Sequence, residues 1–268
     1  GRPGRAGGRA GARGRAVRRS GRARSVRRRG DGAWYATGMY ELYVANKNYS
    51  SWSLRPWVLM RELELPFTEH VKPLVVGGSS WEAYRELSPT GRLPCLHDDD
   101  VVVWDSLAIA EYLSDRHPGV WPVEPRARAW ARSAAAEMHA GFATLRDRCT
   151  MSCGLRIRLR ELPPTLARDL DRLTELWTDG LTRFGGPFLA GEQFTAVDAF
   201  YCPVAFRAQT YALPFTGAPA AYVDRLLALP SMRAWYADAL AETWREPGHE
   251  AEAEVAGTWL ADLRTSAG

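Results

Sequence analysis

Gly91-Arg92-Leu93-Pro94-Cys95-Leu96, followed downstream by Trp104-Asp105-Ser106-Leu107-Ala108-Ile109, constrains this chain more than any other feature. The first segment reads as a turn that delivers a short apolar strand through a proline. Proline cannot donate to a β-ladder, so its place at a strand start marks a sheet edge or a cis bond that turns the chain. Leu93 can then offer its N–H and C=O to an extended guest. The second segment reads as a strand end running into a helix that starts with Asp105 and Ser106. A helix start exposes backbone N–H groups, which together with a hydroxyl suit a carboxylate, while Asp105 can take an ammonium group. A short zwitterionic peptide fits both ends.

The elements around these segments alternate. Tyr40–Ala45 reads as a strand, Asn46–Ser53 as a polar loop and Leu54–Leu65 as a helix with Pro56 in its first turn, where a missing N–H costs little. Phe67–Val71 returns as a strand, Gly77-Gly78 breaks the chain, and Trp81–Leu87 is a short helix. Strands Cys95–His97 and Val101–Trp104 flank the turn Asp98-Asp99-Asp100, and helix Ser106–His117 stops at Pro118-Gly119. The order βαβ–α–ββα is that of a thioredoxin-like α/β domain, expected over 39–119. A proline-containing linker, 120–125, leads to an all-helical domain over 126–244, and 245–268 reads as a C-terminal tail. In the helical domain, Ala127, Ala131, Ala134, Met138, Phe142, Leu145 and Cys149 form one continuous stripe at helical spacing, and Leu166 to Phe184 form a second. Thr195-Ala196-Val197-Asp198 is a capping box opening a third helix. Shorter helices lie around Pro230. No strand pattern is expected beyond the linker.

Composition separates an arm from a body. The net charge of +4 is made of +11 in residues 1–38, where twelve Arg face one Asp, and −7 in the remainder. The Gly/Arg/Ala arm has no apolar periodicity and is expected to be disordered. It is the one part suited to nonspecific binding of nucleic acid; the mildly acidic body is not. Met39 reads as a natural start, with the arm as upstream sequence. No stretch approaches the ~18 apolar residues of a membrane span, and no export signal is visible, so a cytoplasmic protein without membrane contact is expected. Cys95, Cys149, Cys153 and Cys202 form no C-x-x-C pair and read as reduced thiols. The five histidines lack metal-ligand spacing, so no metal is expected.

The Pro94 and Asp105-Ser106 segments, with Ser50-Ser51-Trp52-Ser53-Leu54-Arg55 upstream, resemble the glutathione-binding half of the glutathione transferase superfamily. The serine segment is similar to the Ser-Ser-x-Ser-x-Arg motif of the zeta class, and the resemblance to a bacterial serine-type member covers Met39 to Leu240. It implies a thioredoxin-like domain followed by an all-α domain, glutathione as co-substrate, a small electrophile as partner, and a homodimer acting in detoxification. It assigns Ser50, or failing it Ser51, as the hydroxyl that stabilises the glutathione thiolate. It assigns Ser53, Arg55, Leu93, Pro94, Asp105 and Ser106 to glutathione itself.

Each assignment has a plainer reading. The serines suit helix capping, worth ~1 kcal/mol; Arg55 can pair with an acid; Asp105-Ser106 can be an ordinary cap; Cys95 reads as packing. Trp52 stands where zeta enzymes often carry Cys, so disulfide exchange has no nucleophile in this loop. For the second substrate, helix faces suggest His139, Phe142 and Arg146, with Arg207 and Tyr211 on the third helix; His139 and Phe142, three apart, share a face. The arginine that zeta isomerases carry on that helix is Thr210 here, with Arg207 one turn earlier. Conjugation of glutathione to a small electrophile is the expected function. The alternatives are cis–trans isomerisation of the maleylacetoacetate type and a non-catalytic interaction module.

Overall fold

The structure, a computed structural model, describes Gly1, the backbone of 27–28 and 34–35, and residues 39–73 and 79–266. The Arg/Gly arm and the Gly77-Gly78 break lie outside the described residues, apart from a two-residue antiparallel pairing of β1 (Arg27–Arg28) with β2 (Trp34–Tyr35). That pair belongs to the unit Gly1–Thr37; everything below concerns the unit Gly38–Gly268.

Four strands form the first sheet, in the order β4 (Phe67–Val71), β3 (Tyr40–Val44), β5 (Cys95–Asp98) and β6 (Val101–Trp104). β3 runs parallel to β4 and antiparallel to β5, which is antiparallel to β6. The register builds the site. Tyr43 pairs with Cys95 and Cys95 with Trp104, so the end of β3, the start of β5 and the end of β6 share one sheet edge. The serine loop, Pro94 and Asp105 therefore converge. Helices α1 (Ser51–Glu62), α2 (Ser80–Tyr84) and α3 (Ser106–Ser114) complete the thioredoxin-like half.

α1 begins three residues before the expected Leu54, because Ser50 caps it: its Oγ accepts the Ser53 N–H at 3.3 Å. Pro56 therefore sits inside the helix rather than in its first turn. Gly91 has φ +60°, and a Cβ there would meet Trp81 Cα at 2.4 Å. Only glycine fits the turn that feeds the Leu93–Pro94 bond, which is cis.

The second half holds α4 (Pro125–Ala140), α5 (Ala143–Arg148), α6 (Pro164–Phe184), α7 (Ala196–Tyr211), α8 (Gly217–Ala228), α9 (Pro230–Ala241) and α10 (Pro247–Ala256). The expected continuous stripe from Ala127 to Cys149 is two helices. Gly141 leaves helical geometry, and Phe142 caps α5 in the left-handed region at φ 57°. The expected capping box is present, with the buried Asp198 carboxylate accepting the N–H groups of Thr195 and Leu189 and the Tyr222 hydroxyl. Burial pushes the Asp198 carboxyl up to about 6 despite these donors.

Two further expectations are corrected. β7 (Leu155–Leu159) pairs antiparallel with β8 (Gly257–Asp262), so the helical half carries one β-ribbon. The segment read as a C-terminal tail is α10 and β8, and Arg264 beyond them is buried. Its guanidinium pairs with Glu250 at 2.6 Å and Asp262 at 2.7 Å and reaches the Tyr49 hydroxyl at 3.1 Å. Buried ion pairs of this kind fix geometry more than they add stability. A single hydrophobic core joins both halves, with α1 packed on α7 and Trp57 edge-on to Trp235 at 5.1 Å. Among the described residues no helix is long and apolar enough to cross a membrane, and no cluster suits a metal ion.

Candidate active site

Two adjoining cavities open at the sheet edge where the loops converge. The first, about 570 Å³, is lined by Trp52, Thr90, Arg92, Leu93, Pro94, Trp104, Asp105 and Ser106. The second, about 390 Å³, lies between the halves; its walls include Tyr49, Ser50, Ser51, Trp52, Tyr84, Leu93, Arg146, Met151, Arg207, His249 and Glu252. Trp52, Arg92 and Leu93 belong to both.

Asp105 caps α3. Its Oδ1 accepts the N–H groups of Leu107 and Ala108 at 2.8 and 3.4 Å, and His139 Nε2 lies 3.5 Å from its Oδ2. Its backbone holds φ 75°, ψ 136°, a region that costs a non-glycine residue on the order of 1–3 kcal/mol and that clusters at functional sites. Ser106 is fully buried, and its Oγ accepts from Arg55 Nη1 at 3.3 Å. With Leu107 and Ala108 taken, the Ser106 N–H is the helix-start donor without a partner among the described residues.

The three serines are not equivalent. Ser50 donates its hydroxyl hydrogen to Ser53 Oγ at 2.8 Å while accepting the Ser53 N–H. Ser53 is buried behind the wall and also accepts the Ala45 N–H at 3.0 Å. Ser51, the first residue of α1, lines the second cavity, and its hydroxyl has no hydrogen-bond partner among the described residues.

Arg55 lines neither cavity. It is buried under the Trp52 ring at 4.3 Å and the Phe200 ring at 4.7 Å, and its Nε and Nη2 have no hydrogen-bond partner. Burial, reinforced by Arg146 and Arg207, pulls its pKa well below the usual arginine range. Arg207 is buried, donates Nε–H to the Cys149 carbonyl at 2.7 Å, and is drawn down to about 10 by burial and by Arg146. Arg146 donates to the carbonyls of Gly141 and Met138 and lies 4.9 Å from the Trp52 ring.

Of the residues expected to meet the second substrate, Arg146 and Arg207 line the cavity. His139 stands behind it, edge-on to Trp52 at 5.2 Å and against Asp105. Burial lowers its pKa against the pull of Asp105, and Arg55 and Arg146 lower it further. Phe142 and Tyr211 are placed otherwise. The break at Gly141 takes Phe142 off the His139 face and into the core, and Tyr211 gives its hydroxyl to the Thr150 carbonyl. The four cysteines are buried, with the Cys95 thiol pushed up to about 11 and Cys149 to about 12, as packed thiols are. Tyr49, Tyr84, Arg92 and Met151 were not anticipated as wall residues, although Tyr49 adjoins the serine motif. His249 and Glu252 reach the cavity from the far end of the chain, which no local pattern signals.

A family profile for the glutathione S-transferase N-terminal domain matches residues 49–116, the stretch that carries Ser50, Pro94 and Ser106. Over that stretch the chain is similar to the N-terminal domain of glutathione S-transferases. Similar to it is a stringent starvation protein A homolog of Pasteurella multocida, 29% identical over 155 residues, 56% of this chain and 66% of that protein. Glutathione S-transferase 1 of Manduca sexta is 33% identical over 76 residues, 27% of this chain and 35% of that one. The matched segments thus span between a third and two thirds of these relatives. A solved glutathione transferase homolog from Burkholderia with bound glutathione shares the fold, with TM-score 0.54 and 20% identity over 75% of this chain and 98% of that one. The cis-proline edge and the α3 start are thus read within a transferase fold.

Proposed function

We propose that this protein is a glutathione transferase that conjugates glutathione to a small electrophile. The observation carrying this reading is the convergence of three features on two adjoining cavities: the cis Leu93–Pro94 edge, the α3 start at Asp105-Ser106, and the serine-bearing start of α1. Leu93 offers backbone N–H and C=O to the peptide, while the Ser106 N–H and the Asp105 carboxylate face its zwitterionic end. The electrophile then occupies the second cavity, against Tyr49, Met151 and the two arginines.

The thiol of glutathione has a pKa of about 8.5 when free, and the partial positive charge of a helix N-terminus with one hydroxyl donor favours the thiolate. Ser51 is the better placed donor. Its hydroxyl is uncommitted at the start of α1, whereas the hydrogen of Ser50 is held by Ser53. Ser50 then acts through Ser51 by fixing the helix start. The protein on this reading works as a cytoplasmic homodimer.

Ser51→Ala is expected to keep the glutathione dissociation constant within a few-fold while lowering kcat at least about tenfold, since one directed hydrogen bond contributes ~1–3 kcal/mol. Calorimetry and a conjugation assay measure the two separately. Full turnover in Ser51→Ala with a collapse in Ser50→Ala returns the role to Ser50. The similarity to stringent starvation protein A homologs favours a second reading, a transferase-like module without catalysis. Absence of glutathione binding by the wild-type protein selects it.

A further inference from the structure

The segment formed by α10 and β8 brings to the second cavity an imidazole that helix capping alone does not explain. Glu246 caps α10 by accepting the His249 backbone N–H at 2.7 Å, a bond that any residue but proline at that position could give. The same Oε2 also takes the His249 ring, with Nδ1 at 2.6 Å. A Cβ at Gly248 would lie 3.0 Å from that oxygen, so the glycine between the partners leaves room for the approach. Burial works to raise the Glu246 carboxyl, but the bonds from His249 hold it below the usual carboxylate range. A carboxylate can only accept, so Nδ1 carries the proton of the neutral ring and Nε2 carries the lone pair. Nε2 has no hydrogen-bond partner among the described residues, and His249 lines the cavity together with Ser50 and Ser51.

The ring is also held by a neighbour from the start of the chain's folded part. Tyr49 packs against it with ring centroids 5.0 Å apart. The Tyr49 hydroxyl donates to Glu250 at 2.7 Å and accepts from Arg264, which is itself paired with Glu250 and Asp262. Burial, and after it Glu250, pushes the Tyr49 phenol up, so it stays protonated and takes no thiol proton. The other charged groups of the wall are Arg92, Arg146, Asp147, Arg207 and Glu252. The arginines stay cationic near neutrality, and Asp147 and Glu252 are exposed carboxylates. An oriented imidazole is the wall group suited both to take and to return a proton near neutral pH.

We propose that His249, oriented by Glu246, is a catalytic residue that carries a proton in the second cavity, taking it from the glutathione thiol and returning it to an electrophile whose conjugation consumes one. This rests on the transferase reading. An alkene conjugated to a carbonyl is such an electrophile. The thiol proton passes to Nε2, and the Glu246 carboxylate compensates the imidazolium that forms. The sulfur electron pair makes the C–S bond at the β carbon, and the C=C pair moves onto the α carbon as an enolate. Nε2 then gives its proton to that carbon. Glutathione is thereby added across the double bond, with nothing oxidised, reduced or expelled. Glu246 touches no reacting atom and is a positioning residue.

The test uses the full chain and two probes. Addition to benzylideneacetone needs the proton returned, whereas dinitrochlorobenzene expels chloride and does not; conjugation of the latter by the wild type checks the transferase reading by itself. His249→Ala is expected to lower kcat for benzylideneacetone at least about tenfold, as loss of a general acid–base does, while its KM and the glutathione dissociation constant stay within about threefold. Added imidazole is expected to restore part of that rate, which it does not do for a ring that serves only packing. Glu246→Gln keeps an acceptor for the cap and is expected to lower kcat several-fold with the same split. Should His249→Ala fail to fold, His249→Gln carries the test with the same loss in kcat. Full turnover of benzylideneacetone in the His249 variants overturns the proton-carrier role and leaves the transferase reading standing. So does a loss that falls on KM or glutathione affinity and ignores imidazole, or a wild type that conjugates dinitrochlorobenzene alone. A wild type that binds no glutathione and conjugates neither probe overturns both.

Discussion

Lys47 and Arg55 are two buried cations on either side of the serine loop, and the protein treats them oppositely. Lys47 Nζ pairs with Glu69 at 2.5 Å and Asp238 at 2.6 Å, and sits over the rings of Trp57 and Trp235. The Glu242 carboxylate accepts its backbone N–H, and that of Asn48, at 2.7 and 3.1 Å. These contacts tie β4 and α9 to the loop, so the charge serves as a rivet between the halves. Arg55 pairs with a single hydroxyl and two aromatic faces, and keeps two nitrogens without partners. One region neutralises its charge from within; the other holds its charge uncompensated beside a cavity. The difference separates a charge neutralised by carboxylates from one held by a hydroxyl and two aromatic faces.

The largest effect follows from breaking the rivet. Lys47→Met leaves Glu69, which is mostly buried, with the Trp57 indole at 2.9 Å as its close donor. Breaking a buried pair from one side costs about 3–5 kcal/mol. A loss of that size in the denaturant-unfolding free energy is expected, and a loss below about 1 kcal/mol dissolves the contrast.

Arg55→Met is expected to shift stability by no more than about 1 kcal/mol, in either direction, because it removes a cation that has no carboxylate to strand. Glutathione affinity falls only a few-fold, as Ser106 Oγ loses its donor. Equal destabilisation by Arg55→Met and Lys47→Met shows that both charges are structural.

The smallest effect is a pH dependence at His139. Burial and the neighbouring arginines lower its pKa, so the unfolded chain, near 6.5, takes up the proton before the folded one does. Stability contributed by the neutral imidazole is present above about 6.5 and declines as the pH falls below it. His139→Gln is expected to lose that decline, so that the wild type's stability relative to the variant falls as the pH goes from 7 to 5. A wild-type advantage that instead grows as the pH falls shows that His139 is held charged by Asp105.

Much of the fold was legible because it rests on local rules. Thr195 and Asp198 announce the start of α7 by cap chemistry alone, and Leu166 to Phe184 announce α6 by spacing. The strands on both sides of Asp99-Asp100 follow from their apolar runs. The break at Gly141 was not visible, since the apolar stripe continues through it. There Gly141 leaves helical geometry, and Phe142, in the left-handed region, joins the core. Leu155-Arg156-Ile157-Arg158-Leu159 does alternate with a period of two, although no strand was expected beyond the linker. Its partner, near residue 260, was not legible, because pairing at that separation leaves no trace in either segment.

The same division runs through the site. Residue types and order along the chain determined that a cis-proline edge, an Asp-Ser helix start and a serine motif would come together, since the order of elements dictates which strand ends share a sheet edge. Tertiary structure decided the rest. It decided which serine keeps a free hydroxyl, because Ser53 Oγ sits within reach of Ser50 and not of Ser51. It drew Tyr211 into the core and left Arg146 and Arg207 on the wall. It also brought two buried arginines, Arg55 of α1 and Arg207 of α7, near the half-buried Arg146 of α5, a fact of distance in space that no spacing along the chain encodes.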